Sequence, residues 1–284
     1  MPDIGVAQLL SRIAATADFP QPPLVRTRYP VVLLHGFGAI ASLFKMGMLH
    51  RQAMHMRSHG VRAYAPHVNP YDTTSIRSEA WTHRLTHILE ECDAEKINLI
   101  GFSSGGLDAR FIGGLPEWRD RIASIITISS PNHGSPLASY LLEKNDVHRK
   151  LALQTMEAVG RSAYNVPPRI RPALAEMTPE YVMEVFNTKH PIPEGIYCAS
   201  YAGAAGKGTN TPMISALAVL NLICYEKAGV NDGYVPMDSA WWSERLGVVP
   251  ADHAQIIGAT VFPSRFDTDG FFLSVVRHLA EINL

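Results

Sequence analysis

The chain has 284 residues, 46% of them hydrophobic and 18% charged, with a net charge of −1 and a pI of about 6.9. That length holds one large α/β domain or two small ones and buries a sizeable core. The balanced charge, with no basic stripe, argues against nucleic acid as a partner, and no run approaches the ~18 uninterrupted apolar residues of a transmembrane helix.

Residues 3–17 read as a short helix, with Val6, Leu9, Leu10 and Ile13 at helical spacing. The start Met1-Pro2-Asp3-Ile4-Gly5 lacks the features of a secretory signal. It points to a cytoplasmic protein, with secretion by a signal-independent route as the alternative. A connector marked by Pro20, Pro22 and Pro23 follows. The continuous apolar run at 31–34 suits a strand covered on both faces. Residues 41–58 read as a helix and 61–65 as a strand. Residues 74–92 read as a helix with Ile76, Trp81, Leu85, Ile88 and Leu89 on one face. Strands are expected at 97–100, 122–128, 196–201 and 246–249, and a last helix at 271–282. This alternation predicts a parallel sheet with crossover helices.

The alternation breaks after Ser130. Residues 136–190 contain two or three helix candidates and no clear strand. We read 136–195 as a helical cap inserted over the sheet edge where ligands bind; a small second domain unrelated to the site is the alternative. Cys92, Cys198 and Cys224 form no C-x-x-C pair and read as reduced core thiols.

Gly101-Phe102-Ser103-Ser104-Gly105 matches G-x-S-x-G between a strand and a helix start. A strand turning sharply into a helix lifts the central serine to the tip in a strained backbone conformation, and the glycines allow the close passage. Ser103 is the expected nucleophile. A serine hydroxyl needs a base and the base an orienting acid, which follow in the order acid, then histidine. His148, His190, His253 and His278 lie in the right part of the chain. His253 is favoured, in a loop after a strand. For the acid, Asp232 in an Asn-Asp-Gly turn lies 21 positions before His253 and is favoured. Asp238 and Asp252 are rivals, Asp252 standing too close in sequence to orient its neighbour's ring. Oxyanion donors are expected from the N–H of Ser104, at a helix N-terminus, and of Phe37, in the glycine-bearing loop His35-Gly36-Phe37-Gly38. His35 precedes the nucleophile and reads as a structural residue of that loop.

With these segments the chain resembles the bacterial true lipases, the family I triacylglycerol lipases of the α/β-hydrolase fold. The resemblance rests on residues 29–36, 97–103 and 122–128, on Pro131-Asn132-His133-Gly134-Ser135, on 173–178 with Phe186-Asn187, and on Asn231-Asp232-Gly233 and Asp252-His253. It implies one α/β-hydrolase domain over 1–284 and a Ser103–Asp232–His253 triad, with Phe37 and Ser104 as the oxyanion hole. It also implies a carboxylic-ester hydrolase acting on small-molecule or lipid esters, with transient contact with a lipid interface. An acyl-thioesterase, an intracellular polyester depolymerase and a catalytically silent binding protein are the alternatives. Phe102 departs from the family's usual residue, and its side chain is expected to point away from the nucleophile. The family's calcium carboxylates correspond to Gln255 and, less directly, to Asn210. No cofactor is therefore expected, because neutral amides leave the ion's charge uncompensated.

Overall fold

The computed structural model describes residues 22–38, 47–143, 147–164, 168–260 and 264–284. The helix expected at 3–17, Pro20 and the 41–46 part of the next expected helix lie outside these residues. Six strands are present among them: β1 (Val31–Leu34), β2 (Ala63–Tyr64), β3 (Ile97–Phe102), β4 (Ile122–Ile128), β5 (Tyr197–Gly203) and β6 (Glu244–Val249). They form one sheet in the order β2-β1-β3-β4-β5-β6, and every pairing is parallel. All six strands therefore end on the same sheet edge, where the loops that follow them converge.

Helices α1 (His50–Ser58), α2 (Thr74–Cys92) and α3 (Ser104–Gly113) make the first crossovers. Between β4 and β5 lie α4 (Pro136–Leu142), α5 (Val147–Tyr164), α6 (Ile170–Ala175) and α7, in which Pro179–Tyr181 and Asn187–Lys189 flank a π-helical turn at Val182–Phe186. Helices α8 (Ala218–Ala228) and α9 (Met237–Ala240) precede β6; α10 (His253–Ile256) and α11 (Thr268–Glu281) follow it.

Every residue of β1, β3 and β4 is buried. Side chains alternate between two cores, as the pleat requires. Val31, Leu33, Ile100 and Phe102 pack with Met56 of α1 and with Phe272, Val275, Val276 and Leu279 of α11. Val32, Leu34, Ile97 and Leu99 pack with Trp81, Leu85, Ile88 and Leu89 of α2 and Ile112 of α3. Burial raises the thiols of Cys198 and Cys224 to about 12, so both stay protonated.

The structure corrects several boundaries. The helix expected at 41–58 starts at His50, because Leu49 before it adopts a left-handed conformation with φ of 68°. The strand expected at 61–65 is only Ala63–Tyr64, at the sheet edge. Ile76 is exposed, and Arg77 and Ser78 take the inward positions beside Trp81. Leu151 of α5 is also exposed, whereas Leu153 is buried; the side chain of Val159 lies outside the description.

Phe272 is 1% exposed against the sheet. Phe272→Ala should cost about 3–5 kcal/mol of unfolding free energy, read as a lower urea midpoint with unchanged slope.

Candidate active site

Ser103 stands between β3 and α3 with φ of 56° and ψ of −133°, a conformation L-residues rarely adopt. It is tolerated because its surroundings leave room only for this path. A Cβ on Gly101 would meet Gly105 O and Gly106 Cα at 2.5 Å. One on Gly105 would run into Leu34 O and His35 O, the end of β1. One on Gly36 would lie 2.6 Å from Ser103 Cβ. The three glycines thus bring β1, β3 and α3 to backbone contact around one serine.

Asp232 and His253 lie on the connections flanking β6 and meet in the folded chain. His253 Nδ1 donates to Asp232 Oδ2 at 2.6 Å, with Asp232 fully buried. The other carboxylate oxygen accepts from the N–H groups of Tyr234 (3.0 Å) and Val235 (2.8 Å). The backbone adds His253 N–H to Asp232 O at 2.9 Å. The carboxylate is thus held by three donors, and Nδ1 is the imidazole nitrogen that faces it. Phe102 and Tyr234 flank the ring, at centroid distances of 4.6 and 5.1 Å. The expectation that Phe102 points away from the nucleophile is thereby corrected: it touches the imidazole and lines the same cavity as Ser103.

The turn carrying Asp232 is fixed by an amide pair invisible at sequence level. Asn221 Nδ2 donates to Asn231 Oδ1 at 2.8 Å, and Asn231 Nδ2 donates to Asn221 O and Gly229 O. Asn231 Oδ1 also accepts the Gly233 N–H.

The loop at 35–38 is held from below. Neutral His35 donates from Nδ1 to Gly36 O at 3.0 Å and accepts the Val68 N–H on Nε2 at 3.2 Å. Burial, then Arg77 and His67, keep its pKa well below the usual range. With both nitrogens engaged it is no candidate base. Arg77 Nη2 donates to His35 O at 2.6 Å and to Asp108 Oδ2 of α3 at 2.7 Å. Trp81 Nε1 donates to the same Asp108 oxygen at 3.0 Å. Burial pushes the Asp108 carboxyl upward, and Arg77 and Trp81 oppose that push. This pair ties the 35–38 loop to the helix behind Ser103. Sequence reading missed it, although Arg77 falls four residues before Trp81 on the inward stripe of α2, where an apolar residue is the norm.

Ser103, His253 and Phe37 open onto one cavity of about 210 Å³. Its walls are apolar: Met48 and Ile257 from the sheet side, with Leu137, Leu141, Met156, Leu174 and Met177 from the inserted helices. Ser104 begins α3, so its N–H is among those without a helical acceptor.

The rival residues have other tasks. Asp252 caps α10: its Oδ1 accepts from Ala254 and Gln255 N–H, and its Oδ2 from Ile214 N–H at 2.8 Å. Gln255 returns the favour, accepting the Asp252 N–H at 2.9 Å and completing a capping box. Asp238 lies in the first turn of α9. His190 is stacked between Phe111 and Phe186, and His278 Nε2 meets Tyr197 Oη at 2.8 Å. Asn210 and Gln255 border a separate open cavity of about 670 Å³ in which Asp267 is the lone acid among the described lining residues. Asp267 itself caps α11.

Gly36→Ala should push the 35–38 loop off Ser103. Labelling of Ser103 by a fluorophosphonate is expected to slow about 100-fold in protein that remains folded by circular dichroism.

No family model matches the chain. It is 26% identical over 275 residues to a triacylglycerol lipase of Vibrio cholerae, spanning 86% of this chain and 84% of that one. It is 29% identical over 117 residues to a triacylglycerol lipase of Pseudomonas fragi, spanning 41% of this chain but 39% of that one. Among solved structures, a metagenomic carboxyl esterase superposes with a TM-score of 0.73 over 94% of this chain and 80% of its own, at 17% identity. The sheet order, the serine turn and these likenesses give one conclusion: the chain has the α/β-hydrolase fold and is similar to bacterial triacylglycerol lipases.

Proposed function

We propose that the chain is a serine carboxylic-ester hydrolase acting on acyl esters through a covalent acyl-enzyme. The observation that carries this reading is the Asp232–His253 hydrogen bond of 2.6 Å beside a strained serine that opens onto the same apolar cavity. His253 Nε2 takes the Ser103 hydroxyl proton as Oγ bonds to the ester carbonyl carbon. Asp232 holds the ring by Nδ1 and stabilises the imidazolium. The oxyanion of the tetrahedral intermediate is received by the N–H groups of Phe37 and Ser104. Collapse expels the alcohol, protonated by His253, and water repeats the sequence on the acyl-enzyme to release the acid.

The cavity walls support an apolar acyl substrate. Met, Leu and Phe side chains offer an acyl chain apolar surface and few hydrogen-bond partners. The inserted helices form its roof, and we read them as the cap of the site. Thioester cleavage uses the same atoms. A panel of p-nitrophenyl esters from short to long acyl chains, beside an emulsified triglyceride and an acyl-thioester, ranks these substrates. Ester hydrolysis well above the thioester rate is expected, and a folded protein inert towards the whole panel would overturn the reading.

Ser103→Ala is expected to abolish ester hydrolysis by several orders of magnitude and to lose fluorophosphonate labelling, with the melting temperature retained. Asp232→Asn should cost about a thousandfold or more, since the wrong imidazole tautomer then faces the serine. Asp252→Asn, which preserves an N-cap, and Asp238→Asn should each cost less than about tenfold.

Calcium is not required in this reading. The capping box between Asp252 and Gln255 and the backbone bond from His253 to Asp232 hold the histidine loop without an ion. Activity and melting temperature are expected to be the same in excess chelator and in added calcium. A loss in chelator that calcium restores would refute this.

A further inference from the structure

Helix α3 carries a second buried cation. The Arg110 side chain is 2% exposed, and the acceptors it reaches among the described residues are all neutral. Nη1 donates to Asn132 Oδ1 at 3.1 Å and to Asn132 O at 3.5 Å. Nη2 donates to Asn187 Oδ1 at 2.7 Å and to His190 O at 3.3 Å. The guanidinium lies between the rings of Phe186 and Trp242, with Cζ 5.0 and 4.6 Å from their centroids. Nε and the neighbouring His190 Nδ1 are buried without a hydrogen-bond partner. Burial lowers the guanidinium to about 9, which leaves it charged at neutral pH. A buried cation held only by neutral acceptors contributes little net stability once its desolvation is counted.

What the guanidinium holds is a chain of contacts leading to the acid. Asn132 also donates through Nδ2 to Ala240 O at 2.9 Å and to Thr127 Oγ1 at 3.1 Å. Three residues on, Ser135 Oγ donates to Tyr234 O at 2.6 Å, and Ser239 Oγ donates to Gly134 O at 2.5 Å. The 131–135 loop is thereby stitched to the segment from Tyr234 to Ala240. Tyr234 in turn donates its N–H to Asp232 Oδ1 and flanks the His253 ring. Asn187 Nδ2 donates to Asn132 O at 3.1 Å, so the end of the helical insertion joins at the same point.

We propose that Arg110 is a positioning residue for the hydrolysis: it fixes the 131–135 loop against the nucleophile's helix and so sets the place of the Asp232 turn relative to Ser103. This rests on the ester-hydrolase reading for its kinetic consequence, but the positioning itself has an independent signature. A planar fork with two separate nitrogens is required, because the two asparagines lie on different elements. A lysine keeps the charge but reaches only one of them.

The test compares Arg110→Met and Arg110→Lys with the parent chain. Both are expected to melt within a few degrees of it. Both should lose about 10- to 100-fold in kcat on a p-nitrophenyl ester with KM changed less than about twofold, rates being counted per serine titrated by fluorophosphonate. In the proton NMR spectrum, the far-downfield resonance of the His253 Nδ1–H bonded to Asp232 should shift or broaden in both variants. Arg245→Met serves as control: that exposed arginine also stacks on a tryptophan, Trp241, and its loss should leave kcat and the resonance unchanged. A parent chain inert to esters would overturn the hydrolase reading, while the resonance would still decide the role of Arg110. Variants with a lowered melting temperature but unchanged kcat and resonance would overturn the positioning role. If Arg110→Met does not fold, Arg110→Lys with parental kcat and resonance does the same.

Discussion

One chain reversal organises this molecule. Between β3 and α3 the backbone turns back on itself within a single residue, and Ser103 holds the strained φ of 56°. Strain of this kind costs of order 1–3 kcal/mol and persists only where the surroundings over-determine it. Here the surroundings are the buried strands β1 and β4 on either side of β3 and the packed helix behind it. The two cores on the sheet faces thus do more than stabilise the fold. They supply the rigidity against which one serine is held out into a cavity.

Two buried arginines extend that rigidity sideways. Arg77 fastens the loop after β1 to α3 through Asp108, and Arg110 fastens the loop after β4 to the same helix through Asn132. Helix α3 therefore stands as a post with one loop tied to each side. Neither tie is a surface ion pair of negligible worth. Both are desolvated, multiply hydrogen-bonded and directional, which suits them to fixing position rather than to adding stability.

Much of this was legible in the sequence where one local signal sufficed. The bounds of β4 and α2 agree with the apolar run at 122–128 and the helical period at 74–92. Ser103, Asp232 and His253 stood out by motif and order, and the structure brings Asp232 against His253 and all of Ser103, Phe37 and His253 onto one cavity. What escaped depends on partners far apart in the chain. Arg77 and Asp108, Arg110 and Asn187, and Asn221 and Asn231 each read alone as an ordinary polar residue. Phe102 was misread because its partner is distant in sequence: on the face it shares with Ile100, its ring meets His253, which arrives from the connection after β6. Leu49 was misread because nothing in its own identity announces a left-handed backbone.

The order of strands has a consequence for how the protein folds. The serine turn is assembled from β1, β3 and β4, close neighbours in the chain, whereas Asp232 and His253 flank β6, the strand at the far edge. Parallel pairing across long connections is slow, because chain closure must precede the contacts that reward it. The inserted helices between β4 and β5 lengthen that closure, although its cost grows only logarithmically with length. A chain with β4 paired and β6 undocked would hold Ser103 at its turn without the Asp232–His253 pair beside it. Under the proposed mechanism the hydroxyl gains its base only when the last strand seats, so a growing chain would carry the serine turn before it carries the means to activate it.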